Sequence, residues 1–168
     1  MNAADAAVRV AISEASEAFC ARLRRRYGLA PGVLPLPVGL GYCGREYRVY
    51  PSMRIVDAMR FYAALHVRWN DARLRDALAR AGLDERFEIR RMKRAYQRAL
   101  VLAFALAAEP ALLVVENAEE FDETGSRALL QYAVDLVPSV IVTYGVNVTH
   151  PLVGLAAPID ASAYEADG

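Results

Sequence analysis

The stretch YQRALVLAFALAAEPALLVVENAEEFD, residues 96–122, decides which fold this chain can adopt. Residues 99–108 are all apolar and rich in Ala and Leu, a composition that favours a helix buried on most sides. Pro110 ends that helix, because proline lacks an amide donor and keeps the preceding residue out of the helical region. Residues 111–115 are then short, apolar and β-branched at their end, which predicts a central parallel strand covered on both faces.

A cluster of carboxylates follows this predicted strand directly. Its members are Glu116, Glu119, Glu120, Asp122 and Glu123. Open α/β sheets bind ligands at the carboxyl ends of their strands, so the cluster marks the edge at which a functional site is expected.

The same stretch resembles the ATP-binding subunits of ABC transporters. In that family a helix ending in Ala-Leu-x-x-x-Pro leads into a hydrophobic Walker B strand, then an Asp-Glu pair, and a few residues later Leu-Asp. Residues 105–110 and 112–115 match this order, and Asp122 matches the aspartate of the D-loop, with a loop one residue shorter. The Asp-Glu pair, however, reads Glu116-Asn117, so asparagine stands where the resemblance implies a general base.

Further segments of the chain follow the same family. The segments Leu40-Gly41-Tyr42, Tyr50-Pro51 and residues 60–64 (RFYAA) fall in register with the family's strand, turn and helix around the Q-loop. That register places Arg45 at the Q-loop glutamine, and arginine is a cation with no acceptor for a metal-bound water. Residues 124–136 and 139–143 resemble the helix and strand that follow the D-loop.

The motifs that handle nucleotide in the family are changed or missing. Residues 92–96, MKRAY, stand where the Leu-Ser-Gly-Gly-Gln signature is expected, and Tyr144 stands at the switch histidine. His150 is a candidate for a displaced switch histidine, with an exposed loop histidine as the simpler interpretation. A P-loop needs glycines, a lysine and a Ser or Thr in fixed order. The only lysine is Lys93, and no Gly-Lys pair occurs in the sequence.

The resemblance implies an α/β fold, with a mainly parallel sheet and flanking helices. We expect a single domain over residues 1–168, truncated on its N-terminal side relative to the family, with a helical subdomain at about residues 53–100 inserted into the α/β core. Within that subdomain, Asn70-Asp71 predicts a helix start and Gly82 a helix end. Phe61 and Tyr62 are predicted to be core residues rather than a nucleotide-stacking platform.

Outside these blocks the sequence predicts simpler elements. Apolar residues at helical spacing indicate an amphipathic helix over residues 3–27 that ends at Gly28. Residues 33–38 are a candidate edge strand, because their prolines could not donate to a central ladder. Two basic clusters are interpreted as solvated helix ends, with an anion-binding patch as the alternative for each. They consist of Arg22, Arg24, Arg25 and Arg26, and of Arg90, Arg91, Lys93, Arg94 and Arg98.

Composition limits the remaining function classes. The formal net charge is zero over 168 residues, so no overall field favours nucleic acid or anionic lipid, and no direct nucleic-acid binding is expected. Cys20 and Cys43 have neither metal spacing nor an obvious disulfide mate, which favours a reducing compartment. The first residues lack a basic signal-peptide region, and no apolar run approaches the roughly 20 residues of a membrane span. We therefore expect a cytoplasmic protein that reaches a membrane only through a partner.

Together these observations favour a catalytically inactive ABC-ATPase-like protein that acts as an accessory, regulatory or scaffold subunit of a transporter-like membrane complex. No catalytic residue, cofactor or metal is expected. The resemblance implies a protein partner, either a transmembrane subunit or a second ATPase-like subunit in a homo- or heterodimer. Arg45, Tyr47, Arg48 and Tyr50 are the predicted partner-binding residues. The alternatives are an ATP-binding subunit with an atypical nucleotide site, and an unrelated α/β module that binds anions or nucleic acid.

Overall fold

A computed structural model describes residues 9–14, 17–29, 38–44, 49–144 and 157–158 of the chain. The strands are β1 (Arg9–Glu14), β2 (Leu40–Cys43), β3 (Leu112–Val115), β4 (Ser139–Tyr144) and β5 (Ala157–Pro158). The helices are α1 (Glu17–Tyr27), α2 (Ile55–Leu65), α3 (Asp71–Ala81), α4 (Arg94–Ala107) and α5 (Thr124–Leu136). Short 3₁₀ turns cover Ile89–Arg91 and Ala118–Glu120.

The strands form one parallel sheet in the order β2-β3-β4-β1-β5. Leu113 of β3 lies between Gly41 of β2 and Val140 of β4. The three strands that the sequence predicted at residues 40–42, 111–115 and 139–143 are therefore parallel neighbours, as expected. The α/β fold class is confirmed.

Helices cover both faces of this sheet. Side chains that alternate along β3 and β4, among them Leu113, Val115 and Val142, share a large core with α2, α3, α4 and α5. The intervening Val114 and Ile141 pack on the other face against Leu29, which follows α1. Because both faces of the sheet are covered, the central strand β3 has an apolar residue at every position, which explains its uninterrupted hydrophobic sequence.

The predicted helix boundaries in the middle of the chain are confirmed. The Asn70 side chain accepts a hydrogen bond from the amide of Arg73 and caps α3, and Gly82 ends α3 in the left-handed conformation with φ of 69°. In α4 every residue from Arg98 to Ala107 is buried. Tyr62 is 1% exposed and Phe61 packs against the core, so the prediction of core residues is also correct.

The predicted N-terminal helix over residues 3–27 is wrong in its first half. Residues 9–14 form β1, which lies between β4 and β5, and α1 begins only at Glu17. The apolar residues of this segment fit a helical period, but pairing with two neighbouring strands overrides that local pattern. The predicted end at Gly28 is correct, since Gly28 has φ of 66°.

Some predicted features lie outside the described residues. Residues 33–37 of the candidate edge strand and the alternative switch residue His150 belong to this group, while Val38 is described and lies in a turn. The short strand β5 was missed, because its two residues carry no alternating pattern.

Candidate functional site

A buried ion pair occupies the carboxyl edge of the sheet, where β3 ends. Glu116 follows β3 directly, and its side chain is 0% exposed. Arg24 of α1 reaches across and donates from Nε to Oε1 at 3.0 Å and from Nη2 to Oε2 at 3.1 Å. This hydrogen bonding to Glu116 raises the pKa of the Arg24 guanidinium above its already high usual value. The carboxylate is thus held by a permanent cation in fork geometry.

Tyr42 of β2 lies beside this pair. Its hydroxyl interacts with both Arg24 and Glu116, and burial, followed by the charge of Glu116, raises the pKa of Tyr42 well above its usual range. The ring folds back over Gly44, where an added Cβ would collide with the hydroxyl oxygen of Tyr42. Only glycine at position 44 therefore permits this arrangement.

A second arginine, Arg98 of α4, ties the ends of β2 and β3 together from the opposite face. Its Nη1 donates to the carbonyl of Gly44 at 2.7 Å, and its Nη2 donates to the carbonyl of Glu116. The guanidinium also lies 5.3 Å from the centroid of the Phe121 ring and 3.6 Å from a carboxylate oxygen of Glu120. With its side chain 5% exposed, Arg98 neutralises backbone dipoles rather than facing solvent.

The interpretation of both basic clusters as solvated helix ends is wrong for Arg24 and Arg98, because their guanidinium groups bind partners at the carboxyl edge of the sheet. Arg25, Arg90 and Arg94 are exposed as expected. Arg98 could have been recognised, since it immediately precedes the ten-residue apolar run of a helix predicted to be buried. No sequence signal distinguishes Arg24 from its neighbours, because the partner is 92 residues away along the chain.

The other positions that match altered family motifs are scattered around this edge. Asn117 adopts the left-handed conformation with φ of 52°, and its backbone N–H donates to Thr143 Oγ1 at 3.2 Å. Tyr144 is 1% exposed, and burial raises its pKa well above the usual range. Asp122 is exposed.

The predicted partner-binding residues are only partly described. Arg45, Tyr47 and Arg48 lie outside the described residues. Tyr50 is 49% exposed, and its ring meets Phe61 edge-to-face with centroids 5.4 Å apart. A partner surface at residues 45–50 therefore stays a prediction.

The strand and helix at the N-terminal side have the order in which a P-loop would lie. P-loops join a parallel strand to a helix through about eight residues of the form G-x-x-x-x-G-K-[ST]. Between Glu14 of β1 and Glu17 of α1 the chain has only Ala15 and Ser16. Neither residue is a glycine or a lysine, so this connection lacks the chain length and the residue types of a phosphate-binding loop. Among the described residues, no group of three or more His, Cys, Asp or Glu could hold a metal ion.

Comparison with solved structures shows that the fold of this chain is similar to that of ATP-binding subunits of ABC transporters. No family model and no curated protein matches the sequence. Among solved structures, an ABC transporter ATP-binding protein from Pyrococcus furiosus has a TM-score of 0.66 at 15% identity, over 87% of this chain and 82% of that one. A cobalt transport ATP-binding protein has a TM-score of 0.63 at 14% identity, over 85% of this chain.

A third similar structure is a dimeric ATP-binding cassette in a post-hydrolysis state bound to ADP and Pi, with a TM-score of 0.60 at 13% identity over 86% of this chain and 77% of that one. This chain spans 60% of the length of the cobalt transport protein. The resemblance predicted from the sequence is thus confirmed at the level of the fold. Within the described part of the chain, no helix is long and apolar enough to cross a membrane.

Proposed function

We propose that this chain is a non-catalytic ABC-ATPase-like subunit with an accessory, regulatory or scaffold role in a transporter-like membrane complex. The observation that carries the proposal is the buried Arg24–Glu116 pair at the carboxyl edge of the sheet. Both carboxylate oxygens accept hydrogen bonds from one guanidinium. A divalent cation could use this carboxylate only by displacing a permanent cation that already neutralises it.

The connection between β1 and α1, where a phosphate-binding loop would lie, is equally unsuited to binding a nucleotide. A triphosphate requires a ring of backbone amides, a lysine and a metal ion to offset its charge. The connection between β1 and α1 offers two residues, and the only lysine of the chain, Lys93, pairs with Glu123 at 3.2 Å. Asn117 cannot act as a general base in place of a glutamate. We therefore infer that ATP turnover is absent.

The proposed role is one of protein contact. The similar solved structures are described as transport ATP-binding proteins, and one is described as dimeric. By analogy of fold, the partner of this chain is a transmembrane subunit or a second ATPase-like subunit. This role agrees with an exposed Tyr50 next to Phe61 at the predicted partner surface.

Nucleotide assays test the proposal directly. Purified protein with ATP and Mg²⁺ is expected to release no phosphate above the buffer rate and to give no magnesium-dependent heat of binding in titration calorimetry. An active ABC ATP-binding subunit in the same buffer serves as the positive control. The same assays are carried out on Glu116→Gln. The matched control is Glu85→Gln, which changes a carboxylate in an exposed ion pair.

The competing function is an ATP-binding subunit with an atypical site. Magnesium-dependent ATP binding at a Kd on the order of micromolar, about −8 kcal/mol, would establish it. The assignment to this edge would follow if the binding is lost in Glu116→Gln and kept in Glu85→Gln.

A further inference from the structure

A cleft of about 550 Å³ opens between the end of α3 and the start of α4, and neither Arg24 nor Glu116 lines it. Its apolar lining comes from Leu83, Phe87, Met92 and Tyr96. Phe87 is 48% exposed, which is unusual for a phenylalanine in a chain with a well-formed core. Met92 and Tyr96 pack their inner sides on the main core, so the floor of the cleft is continuous with it.

The rim of the cleft is basic. Arg86, Arg91 and Lys93 line it, together with a single acidic residue, Glu88. Among the described residues, these three cations form exposed ion pairs, with Asp84 at 2.8 Å, Glu88 at 3.1 Å and Glu123 at 3.2 Å. Their side chains are between 73% and 86% exposed. Exposed pairs of this kind contribute little stability, so these cations can turn to an external carboxylate at low cost.

The cleft is held in shape by backbone hydrogen bonds. The amide of Ile55 donates to the carbonyl of Phe87 at 3.0 Å, and the amide of Val56 donates to the carbonyl of Glu85 at 2.9 Å. From the other side, Gln97 Nε2 donates to the carbonyl of Met92 at 3.1 Å. A ligand would therefore not have to order this loop, which removes one common cost of binding.

We propose that this cleft is a docking site for an acidic amphipathic segment of a partner protein. The segment inserts one large aliphatic or aromatic side chain beside Phe87 and places Asp or Glu residues against Arg86, Arg91 and Lys93. An apolar centre, a charged rim and a preformed groove are the features of helix-in-groove recognition. The proposal deepens the accessory role proposed above and rests on it, because it names the chemistry of the partner.

Selection from a random peptide library tests this proposal and requires no purified partner. The probe is a phage-displayed library of random peptides about twelve residues long, enough for three helical turns. Selection is carried out on the immobilised full chain. We expect enriched peptides to combine a large apolar residue with flanking Asp or Glu, and to bind more weakly as salt increases.

Two cleft variants and two matched controls locate the binding. Phe87→Ala and the double variant Arg91→Glu with Lys93→Glu are expected to weaken the enriched peptides at least about tenfold in fluorescence anisotropy. Val67→Ala, at an 86% exposed valine, and the double variant Arg60→Glu with Arg68→Glu change exposed residues that do not line the cleft, and should leave the affinity unchanged. Since all substitutions are at exposed positions, each variant should keep the circular dichroism of the parent.

Each other outcome overturns the proposal. Enrichment of peptides without acidic residues, equal binding to both sets of variants, or no enrichment at all would do so. Self-association in sedimentation velocity that Phe87→Ala abolishes would identify a second copy of this chain as the occupant instead. The nucleotide assays separate this proposal from the preceding one. Peptide binding by a chain that hydrolyses ATP refutes only the non-catalytic role, and an inactive chain without peptide binding refutes only the docking site.

Discussion

At the scale of single residues, two arginines organise the edge of the sheet. Arg24 neutralises the buried carboxylate of Glu116, and Arg98 holds the carbonyls of Gly44 and Glu116. Both guanidinium groups come from helices, one on each face of the sheet, and both converge on the residue that follows β3. A buried charge is tolerated only when it is paired, so each arginine should be difficult to replace.

Arg24→Ala is expected to destabilise the fold by about 3 kcal/mol, because it leaves the carboxylate of Glu116 buried without its cation. Arg25→Ala, at the exposed neighbouring position of α1, should change stability by less than about 0.5 kcal/mol. Urea unfolding monitored by circular dichroism measures both values. Adding Glu116→Gln to Arg24→Ala should recover part of the loss, since it removes the buried charge. Equal urea midpoints for the two single variants would contradict the role assigned to Arg24.

At the scale of elements, the close crossing of α3 and α5 depends on one small residue. Gly125 lies in the first turn of α5, and a Cβ built on it would be 2.5 Å from the carbonyl oxygen of Ala81, at the end of α3. Helix propensity alone favours alanine over glycine here by about 1 kcal/mol. The contact with a backbone atom cannot be relieved by rotation of a side chain, so the packing cost should exceed that gain.

Gly125→Ala should therefore lower stability by about 1–3 kcal/mol, the range for overpacked sites. Thr124→Ala, at an exposed position of the same helical turn, provides the control and should be nearly neutral. Thermal unfolding of both variants measures the difference. A rise in Tm for Gly125→Ala would mean that propensity outweighs packing and that α3 and α5 lie further apart than described.

At the scale of the whole molecule, covering both faces of the sheet buries tyrosine side chains. Tyr42, Tyr62 and Tyr144 are all less than 5% exposed. Burial raises the pKa of each hydroxyl, in Tyr62 to about 12. The unfolded chain loses these protons near pH 10, whereas the folded chain keeps them. Their contribution to stability is therefore complete below pH 10 and is lost as the pH rises towards 12 and beyond.

We expect the free energy of unfolding to fall steeply above pH 10, with each buried tyrosine contributing a slope of up to about 1.4 kcal/mol per pH unit. Tyr62→Phe removes one of these hydroxyl groups, so the slope should become shallower by up to about 1.4 kcal/mol per pH unit. Urea titrations at successive pH values provide the measurement, and identical slopes for the parent and Tyr62→Phe would refute the linkage.

The sequence by itself determined the architecture of the middle of the chain. Residues 99–115 combine a long apolar helix, a proline and a short apolar strand, and each of these signals acts over a few residues, so local physics is enough to place α4 and β3. The ends of α3 at Asn70 and Gly82 follow from capping chemistry in the same way. The loss of the nucleotide motifs can also be read from the sequence, because each motif is a short run of specified residue types.

Only the tertiary structure decided that residues 9–14 are a strand and that Arg24 is a buried counter-ion. β1 exists because β4 and β5 offer it hydrogen-bonding partners more than a hundred residues away in sequence, at Ile141 and Ala157. The pairing of Arg24 with Glu116, 92 residues away along the chain, is hidden from local sequence patterns for the same reason. Contacts between distant segments depend on how the sheet orders its strands, and no local propensity carries that information.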